Sequence, residues 1–365
     1  GVDDSVASIK SNYATATIAG RKVYIGNVKI LNEDGSVEIK GDAMLKSPPN
    51  KFDIFPSTSI VEASINDGES IVKLETFADR ILQYKQDTLY IINVAQDVEF
   101  LEDVHKYKGV KHPSMVCKTD YGIAWVNELG CYFYDGKQVR NLLEKEGRKL
   151  ISDSVWQTFI AESATSSSMI GYIPEKRQLI ITKSSLAATN SGDVFLYDMV
   201  TRSWTFGNTK MADVLKSNFI VHQNKLCYMV TDTSNGFLTW KTTLASSTEF
   251  EVITKDIDFG EPGRNKKVYK VLVTYDTGNA TSNVQVDYDI NGGTTFPYDF
   301  ANGTNFASTE LATANGWKVA ELKPDVPSEA NNIKSFKLRF ATDGTVPAGF
   351  RINDISIIYK AKRPK

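Results

Sequence analysis

The chain has 365 residues, 41% of them apolar and 24% charged, so we expect a folded protein of two domains, with room for a third. Its 42 Lys and Arg nearly balance 44 Asp and Glu, for a formal net charge of -2. This balance lacks the basic signature of a nucleic-acid-binding domain. It still permits DNA to slide past, because a surface that does not grip DNA needs no strong positive field.

The cysteines and the termini bear on the cellular compartment. Cys117, Cys131 and Cys227 form an odd set without a CxxC pair, which favours assembly in a reducing cytoplasm over a disulfide-stapled secreted domain. Cys117 and Cys131 could meet in one hairpin, but buried free thiols are the favoured interpretation. We predict no membrane span and no signal peptide. Because the first residue is Gly, we expect the numbering to start inside a longer gene product.

Up to about residue 247, short strands alternate with turns, as in sandwiches, barrels and propellers. Several loosely similar segments begin with polar turn residues and continue as an apolar strand; they are Arg21–Val28, Asp87–Val94, Leu129–Gly136, Gly192–Met199 and Asn224–Thr231. Most follow another strand, such as Phe77–Tyr84 or Tyr121–Val126. Strand pairs that recur every ~40 to 60 residues predict the blades of a β-propeller over residues 1–247, which is incomplete if the N-terminal portion is missing.

Within one such pair, Asp198 and Thr201 are expected to bond their own turn backbone, and Trp204 to return as an aromatic between blades. An ordinary hairpin with a polar loop is the alternative interpretation.

Two short helices are predicted as insertions between strands. One begins after an N-cap at Ser152 and carries apolar residues at helical spacing, namely Val155, Trp156, Phe159 and Ile160. The other covers Asp97–His105, with Phe100, Leu101 and Val104 on one side.

Residues 248–365 are predicted to form a β-sandwich, since about seven strands fall within about 115 residues. The predicted strands are Val252–Phe259, Lys267–Tyr275, Asn283–Ile290, Thr295–Phe300, Trp317–Leu322, Ile333–Phe340 and Phe350–Tyr359. In the third strand, apolar residues from Val284 to Ile290 alternate with Gln285, Asp287 and Asp289. This alternation predicts one buried face and one solvated face.

Motifs for catalysis or cofactor binding are missing from the sequence. His105, His112 and His222 have no partners at zinc-ligand spacing, and neither GxSxG, GxxxxGK[ST] nor GxGxxG occurs. We therefore predict a non-enzymatic protein without catalytic residues or cofactors. A propeller glycosidase stays open as an alternative, because its carboxylate pair depends on placement that a sequence does not show.

One metal motif is matched in part. Asp287, Asp289 and Asn291 fit the opening DxDxNG of a calcium loop, but the twelfth position is Tyr298, where a bidentate Glu is needed. An Asn-Gly-Gly hairpin turn explains the same residues, so no metal site is predicted and calcium remains the alternative.

Basic residues near the two ends of the second domain are candidates for docking to an acidic surface or phosphate. They are Arg264, Lys266, Lys267, Lys360, Lys362, Arg363 and Lys365. For the last four, a solvated basic tail is the favoured interpretation and docking is the alternative.

Several phrases resemble the tail nozzle proteins of short-tailed bacteriophages, also labelled packaged-DNA stabilisation proteins. In the first domain these phrases are GDAMLKSPPNKFDIFP (41–56), DYGIAWVN (120–127) and CYFYDG (131–136). In the second they are ITKDIDFG (253–260), KKVYK (266–270) and FRINDISIIY (350–359). Together they are scattered over most of the chain.

This resemblance implies a virion protein that is assembled in the host cytoplasm and resides in the phage tail. It implies a ring of identical subunits, with six the expected number, below the portal and adaptor proteins and near tail fibres or spikes. The ring would extend the channel for genomic DNA and hold the genome until ejection. No functional residue is carried over, because such a function lies in shape and interfaces.

The runner-up hypothesis is a carbohydrate- or surface-binding propeller. It would bind through aromatic platforms such as Trp125, Trp204, Trp240 or Trp317, although all four are more simply explained as core residues.

Overall fold

The computed structural model describes residues 12–32, 34–64, 67–96, 98–160, 166–185, 192–207, 211, 218–229, 237–240, 250–301, 311–342 and 344–363. The prediction of an all-β protein is confirmed. The chain divides into two compact units, Gly1–Thr242 (unit 1) and Thr243–Lys365 (unit 2). The predicted boundary near residue 247 falls outside the described residues. In the part of the chain that is described, no helix has the length and apolar character to cross a membrane.

Unit 1 is a series of antiparallel sheets, each built from strands that are consecutive in the sequence. Sheet 1 contains β1 (Asn12–Ala19), β2 (Lys22–Leu31), β3 (Val37–Lys46) and β4 (Ile60–Val61). Sheet 2 contains β5 (Lys73–Phe77), β6 (Arg80–Tyr84), β7 (Thr88–Asn93) and β8 (Phe100–Lys106). Sheet 3 contains β9 (Val116–Thr119), β10 (Gly122–Asn127), β11 (Gly130–Tyr134) and β12 (Val139–Asn141).

A small hairpin and a helix separate sheet 3 from sheet 4 along the chain. They are β13 (Glu144–Lys145), β14 (Arg148–Lys149) and α1 (Asp153–Ile160). Sheet 4 contains β15 (Ser166–Ile173), β16 (Gln178–Ser185), β17 (Val194–Asp198) and β18 (Ser203–Gly207). Sheet 5 contains β19 (Ile220–His222), β20 (Lys225–Met229) and β21 (Phe237–Thr239).

Side chains in the tight turns fix the strand register by binding the turn backbone. Between β17 and β18, Asp198 Oδ1 accepts the backbone N–H groups of Val200 (2.9 Å) and Thr201 (2.8 Å). The predicted bonding of Asp198 to its own turn backbone is therefore confirmed, whereas the Thr201 hydroxyl lies 2.7 Å from Ser203 Oγ. Between β10 and β11, Asn127 Oδ1 accepts the N–H groups of Leu129 and Gly130 in the same way. Short polar side chains stabilise such turns because they replace missing backbone partners.

One predicted helix is confirmed and the other is wrong. Helix α1 follows Ser152, whose Oγ accepts the Val155 N–H at 3.4 Å, and its apolar face buries Trp156 and Ile160. The predicted helix Asp97–His105 is instead strand β8, paired antiparallel with β7, and Asp97 itself lies outside the described residues. Its apolar spacing fits a helix face, but the register with β7 decides the structure.

Consecutive sheets of unit 1 pack face to face. Ile81 and Ile92 of sheet 2 join the apolar cluster with sheet 1, whereas Leu82 and Ile91 join the cluster with sheet 3. In sheet 4, Ile180 packs towards sheet 5 and its neighbour Leu179 towards sheet 3. Successive strand residues point to opposite faces, so the inner strands have both faces covered. The first strands also lie side by side, β1 against β5, β5 against β9, β9 against β15, and β15 against β19.

Unit 2 contains two antiparallel sheets that share one apolar core. Its strands are β22 (Glu251–Ile253), β23 (Lys266–Asp276), β24 (Val284–Ile290), β25 (Tyr298–Asp299), β26 (Lys318–Leu322), β27 (Asn331–Ile333), β28 (Phe336–Thr342) and β29 (Arg351–Ala361). Sheet 6 has the order β22-β28-β24-β25. In sheet 7, β23 pairs with β29 on one edge and with β26 and β27 on the other.

The predicted solvated face of β24 is wrong. Gln285, Asp287 and Asp289 are only 4%, 4% and 3% exposed. Asp287 is covered by Arg339 of β28, whose Nε lies 3.0 Å from Oδ1 and whose Nη2 lies 2.5 Å from Oδ2. Both faces of β24 are therefore buried, one by apolar side chains and the other by an ion pair.

Candidate binding surfaces

A cleft in unit 1, about 540 Å³ in volume, lies where the ends of sheets 3 and 4 meet the β13–β14 hairpin. We call it the arginine cleft and define it by the lining residues Tyr121, Phe133, Arg140, Arg177, Tyr197 and Arg202. Its volume lies within the range of pockets that hold small organic ligands.

The topology brings the two arginines of sheet 4 to the same end of the sheet. In a four-stranded meander the first and third turns lie at one end and the second turn lies at the other. Arg177 closes the turn between β15 and β16, and Arg202 closes the turn between β17 and β18. A backbone hydrogen bond of 3.0 Å from Met199 N to Arg177 O ties the two turns together.

Charge in the arginine cleft is unevenly balanced. Arg140 is paired with Asp135 at 2.5 Å, and Glu144 accepts a hydrogen bond from Asn141 at 3.4 Å. Within the described part of the chain, neither Arg177 nor Arg202 forms a salt bridge. The guanidinium of Arg177 lies 5.8 Å from the centroid of the Tyr121 ring. The cleft thus combines cations that lack an acidic partner with an aromatic surface.

The predicted basic residues of unit 2 have different environments. Lys266 is fully buried, and its Nζ donates to the carbonyls of Glu261 and Lys334. These carbonyls are the partners that a buried ammonium requires. Because the group is not accessible, the prediction of Lys266 as a docking residue is wrong. Arg264 donates to the Lys362 carbonyl at 2.9 Å and pairs with Glu261, so it anchors the C-terminal segment. Lys365 lies outside the described residues.

Three of the predicted basic residues present charge at the surface of sheet 7 and its end. Lys267 and Lys360 lie directly opposite each other in the β23–β29 pair, and exposed Arg363 follows β29. Lys362 is half-buried and donates to Asn332 Oδ1 at 2.6 Å. Because like charges directly opposite each other destabilise a strand pair, the Lys267–Lys360 pair is the part of this set best suited to meet an anionic partner.

Lys360→Glu is expected to stabilise unit 2 by about 0.2–1 kcal/mol, because it converts a cross-strand repulsion into an attraction. Hydrogen exchange of β23 and β29 peptides should report the gain. Lys360→Gln, which removes the repulsion only, should give a smaller gain, and added salt should reduce the difference between the two variants. A loss of stability in Lys360→Glu would show that Lys267 and Lys360 do not repel each other.

The calcium alternative is not favoured by the contacts of its candidate ligands. The Arg339 guanidinium donates hydrogen bonds to the Asp287 carboxylate. The backbone N–H groups of Thr295 and Phe296 each donate to Asp289 Oδ2 at 3.0 Å. The side-chain oxygen of Asn291 accepts the Lys334 N–H at 2.7 Å. These oxygens serve the turn and the strand pair, as the hairpin interpretation requires. Burial raises the pKa of Asp287 even though Arg339 acts to lower it.

The cysteines lie within sheets of unit 1, all with free thiols. Cys117 borders a cavity of about 330 Å³ beside the first strands of sheets 2, 3 and 4. Burial, assisted by Glu75, raises the pKa of the Cys117 thiol to about 12. The thiol therefore remains protonated at neutral pH and is a poor nucleophile.

The tryptophans differ in exposure. Trp125 is fully buried and Trp204 and Trp240 are half-buried, whereas Trp317 is 55% exposed. The interpretation of Trp317 as a core residue is therefore wrong. The Arg351 guanidinium lies 5.4 Å from its ring centroid, which leaves much of the indole surface open to solvent.

Sequence reasoning missed the arginine cleft altogether. Arg140, Arg177 and Arg202 belong to different turns and strands, and no spacing rule connects them. The available signal was an Arg at the end of the first and third turns of sheet 4, Pro174–Arg177 and Asp198–Arg202. It becomes informative only once the meander topology places both turns at one end.

No protein-family model and no curated protein sequence matches the chain. Among solved structures it is similar to YCF48 bound to a D1 peptide, with 7% identity over 66% of this chain and 71% of that chain and a TM-score of 0.36. It is also similar to the Trypanosoma rangeli sialidase in complex with 2,3-difluorosialic acid (9% identity, 94% and 83% covered, TM-score 0.34). The Dos1 propeller is a further example (13% identity, 70% and 65% covered, TM-score 0.31). Similarity at this level does not establish a shared fold or function.

Proposed function

We propose that this chain is a structural subunit of a bacteriophage tail, in which a β-propeller and a β-sandwich form the stiff wall of a ring. The ring extends the DNA channel below the portal and adaptor proteins. The observation that carries the proposal is the stacking of consecutive sheets in unit 1, combined with an apolar edge strand that is open to solvent. The choice of family in this proposal rests on the sequence segments that resemble tail nozzle proteins.

The arrangement of unit 1 supports the propeller. Each sheet is a meander, each packs on the sheets before and after it in the sequence, and the first strands lie side by side. Radial repetition of this kind produces a rigid body with short, protected edges. Unit 2 supports the sandwich, because its two antiparallel sheets bury one common core.

Strand β8 supports assembly with a second copy of the chain. It is an outer strand of sheet 2, and the apolar side chains of Phe100, Leu101 and Val104 are 45%, 42% and 40% exposed. Tyr107, just after the strand, is 68% exposed. We call these four residues the β8 edge. An open apolar edge favours association, and a head-to-tail contact between identical subunits forms a ring when the rotation between neighbours closes on itself.

The overall charge is compatible with DNA passing through such a ring. A net charge of -2 gives no strong attraction that would retain the duplex on the wall. Tail fibres or spikes, the portal and the adaptor are the further partners that the proposal requires. Genome retention then depends on the geometry of the wall rather than on catalysis.

Leu101→Lys is expected to weaken self-association at least tenfold, because it places a charge in the apolar contact at the β8 edge. Mass photometry of the full chain over a range of concentrations should show closed rings for the unaltered protein, with six subunits the expected number, and a shift towards monomers for the variant.

Val200→Lys is the matched control. Val200 is 66% exposed in the turn between β17 and β18 of sheet 4, away from the β8 edge, so its substitution should leave association unchanged. If the unaltered chain stays monomeric up to its highest soluble concentration, or if both variants behave alike, the proposed ring contact is wrong. Electron microscopy of the assembled species distinguishes closed rings from open aggregates.

A second candidate function, carbohydrate binding, is favoured by the exposure of Trp317. An indole face backed by a guanidinium is a suitable platform for a sugar ring. Binding of glycans by a monomer, lost in Trp317→Ala, would favour this candidate over the ring.

A further inference from the structure

We propose that the arginine cleft binds a carboxylated sugar, with Arg177 and Arg202 holding the carboxylate and the tyrosine-lined wall contacting the sugar ring. This inference does not depend on the ring proposed above, because the cleft lies within unit 1 of a single chain. It assigns a ligand class to a site that is distinct from the β8 edge.

Charge determines the first part of the assignment. The cationic residues that line the cleft are Arg140, Lys145, Arg177 and Arg202, and the acidic ones are Glu144 and Glu146. Arg140 forms a salt bridge with Asp135, whereas Arg177 and Arg202 have no acidic partner within the described residues. An anion is therefore the favoured ligand. A guanidinium offers a planar pair of donors that matches a carboxylate.

The fold places Arg177 and Arg202 at the same end of sheet 4. The hydrogen bond between Met199 N and Arg177 O holds the first and third turns of sheet 4 against each other. The carboxylate of Asp198, which could neutralise this end, is instead engaged by the N–H groups of Val200 and Thr201 and by the Gln178 amide. Asp198 is thus held within the turn and, among the described residues, forms no salt bridge with Arg177 or Arg202.

Shape determines the second part. A volume of about 540 Å³ is much larger than one oxyanion needs, and the Tyr121 ring in its wall is 45% exposed. Rings with an apolar face pack on such aromatic surfaces. The cleft is bounded by three turns and a hairpin rather than by a long open groove or a free strand edge, which disfavours an extended peptide. A sugar acid of one or two rings meets both requirements.

The test compares binding of carboxylated and neutral glycans on an array by the full chain and its variants. The double variant R177G/R202G removes both guanidinium groups at residues whose φ values of 53° and 57° lie in the left-handed region that glycine favours, so folding should be retained. We expect signals confined to carboxylated glycans and at least tenfold weaker binding by the double variant. R177K/R202K should recover only part of the affinity, because lysine keeps the charge without the planar donors.

Arg21→Gly is the matched control, because Arg21 is also exposed and left-handed (φ 61°) but lies in the turn between β1 and β2. It should bind as the unaltered chain does. The proposal is overturned by equal binding of the acid and its methyl ester, by no binding to any carboxylated glycan, by tighter binding of an oligoglutamate of equal charge, or by unchanged affinity in R177G/R202G. Unfolding temperatures of all variants confirm that a loss of binding is not a loss of fold.

Discussion

Arg339→Ala is expected to destabilise unit 2 by about 3–5 kcal/mol at neutral pH, because it leaves the buried Asp287 carboxylate without its cation. The pair is bidentate, with Nε at 3.0 Å from Oδ1 and Nη2 at 2.5 Å from Oδ2, and Asp287 is only 4% exposed. The guanidinium also lies 4.9 Å from the Phe296 ring centroid, so its removal loses packing as well as charge. Hydrogen exchange of β24 and β28 peptides in the full chain measures the effect.

The loss of stability in Arg339→Ala should become smaller as the pH falls. Burial already raises the folded-state pKa of Asp287 above its ordinary 3.8, and Arg339 opposes that rise. Without Arg339 the folded pKa rises further, so the folded variant binds a proton at a pH where the unfolded chain does not. Its stability relative to the unaltered chain therefore increases as pH falls through the folded pKa towards 3.8.

The double variant D287L/R339M serves as the control for this interpretation. Apolar side chains of similar size replace both charges, so most of the lost stability should return. A single-variant deficit that is the same at all pH values, or a double variant as unstable as Arg339→Ala, would indicate that packing against Phe296 rather than the ion pair is responsible.

The sequence was most informative where short-range chemistry decides the structure. Hairpins such as β17–β18 were predictable because Asp198 binds the turn that it precedes. Helix α1 was predictable because Ser152 can cap it and its apolar residues recur at helical spacing. In both places the partners are at most four residues apart, so the pattern contains all of the necessary information.

Prediction failed where the partner that decides the structure lies outside the segment itself. Strand β8 shows apolar residues at positions that suit a helix face, and only its pairing with β7 makes it a strand. The solvated face expected for β24 is covered by Arg339, which lies 52 residues further along the chain. The arginine cleft likewise forms only when sheets 3 and 4 pack together. Each failure concerns a tertiary contact that local propensity does not encode.

Trp125→Ala is expected to destabilise unit 1 by about 3–5 kcal/mol, the usual cost of truncating a buried large aromatic residue. Trp125 is fully buried in β10, with ring centroids 5.4 Å from Tyr84 and 5.6 Å from Tyr132. Its Nε1 donates to the Lys108 carbonyl at 2.9 Å, in the segment that leads from sheet 2 to sheet 3. The substitution therefore removes packing between two sheets and leaves a carbonyl without its donor. Calorimetry should show the unfolding temperature of unit 1 falling by roughly 10 °C.

Two further variants, Trp317→Ala and Trp125→Phe, separate the effect of burial from the effect of the hydrogen bond. Trp317 is exposed in unit 2, so its truncation should change stability by less than about 1 kcal/mol. Trp125→Phe keeps an aromatic ring but loses the hydrogen bond, and should lie between the two. If the sheets of unit 1 form one cooperative stack, Trp125→Ala should lower hydrogen-exchange protection in sheets 2, 3 and 4 together. Loss confined to β10 and β11 would mean that the sheets unfold independently, contrary to the stiff wall that we propose.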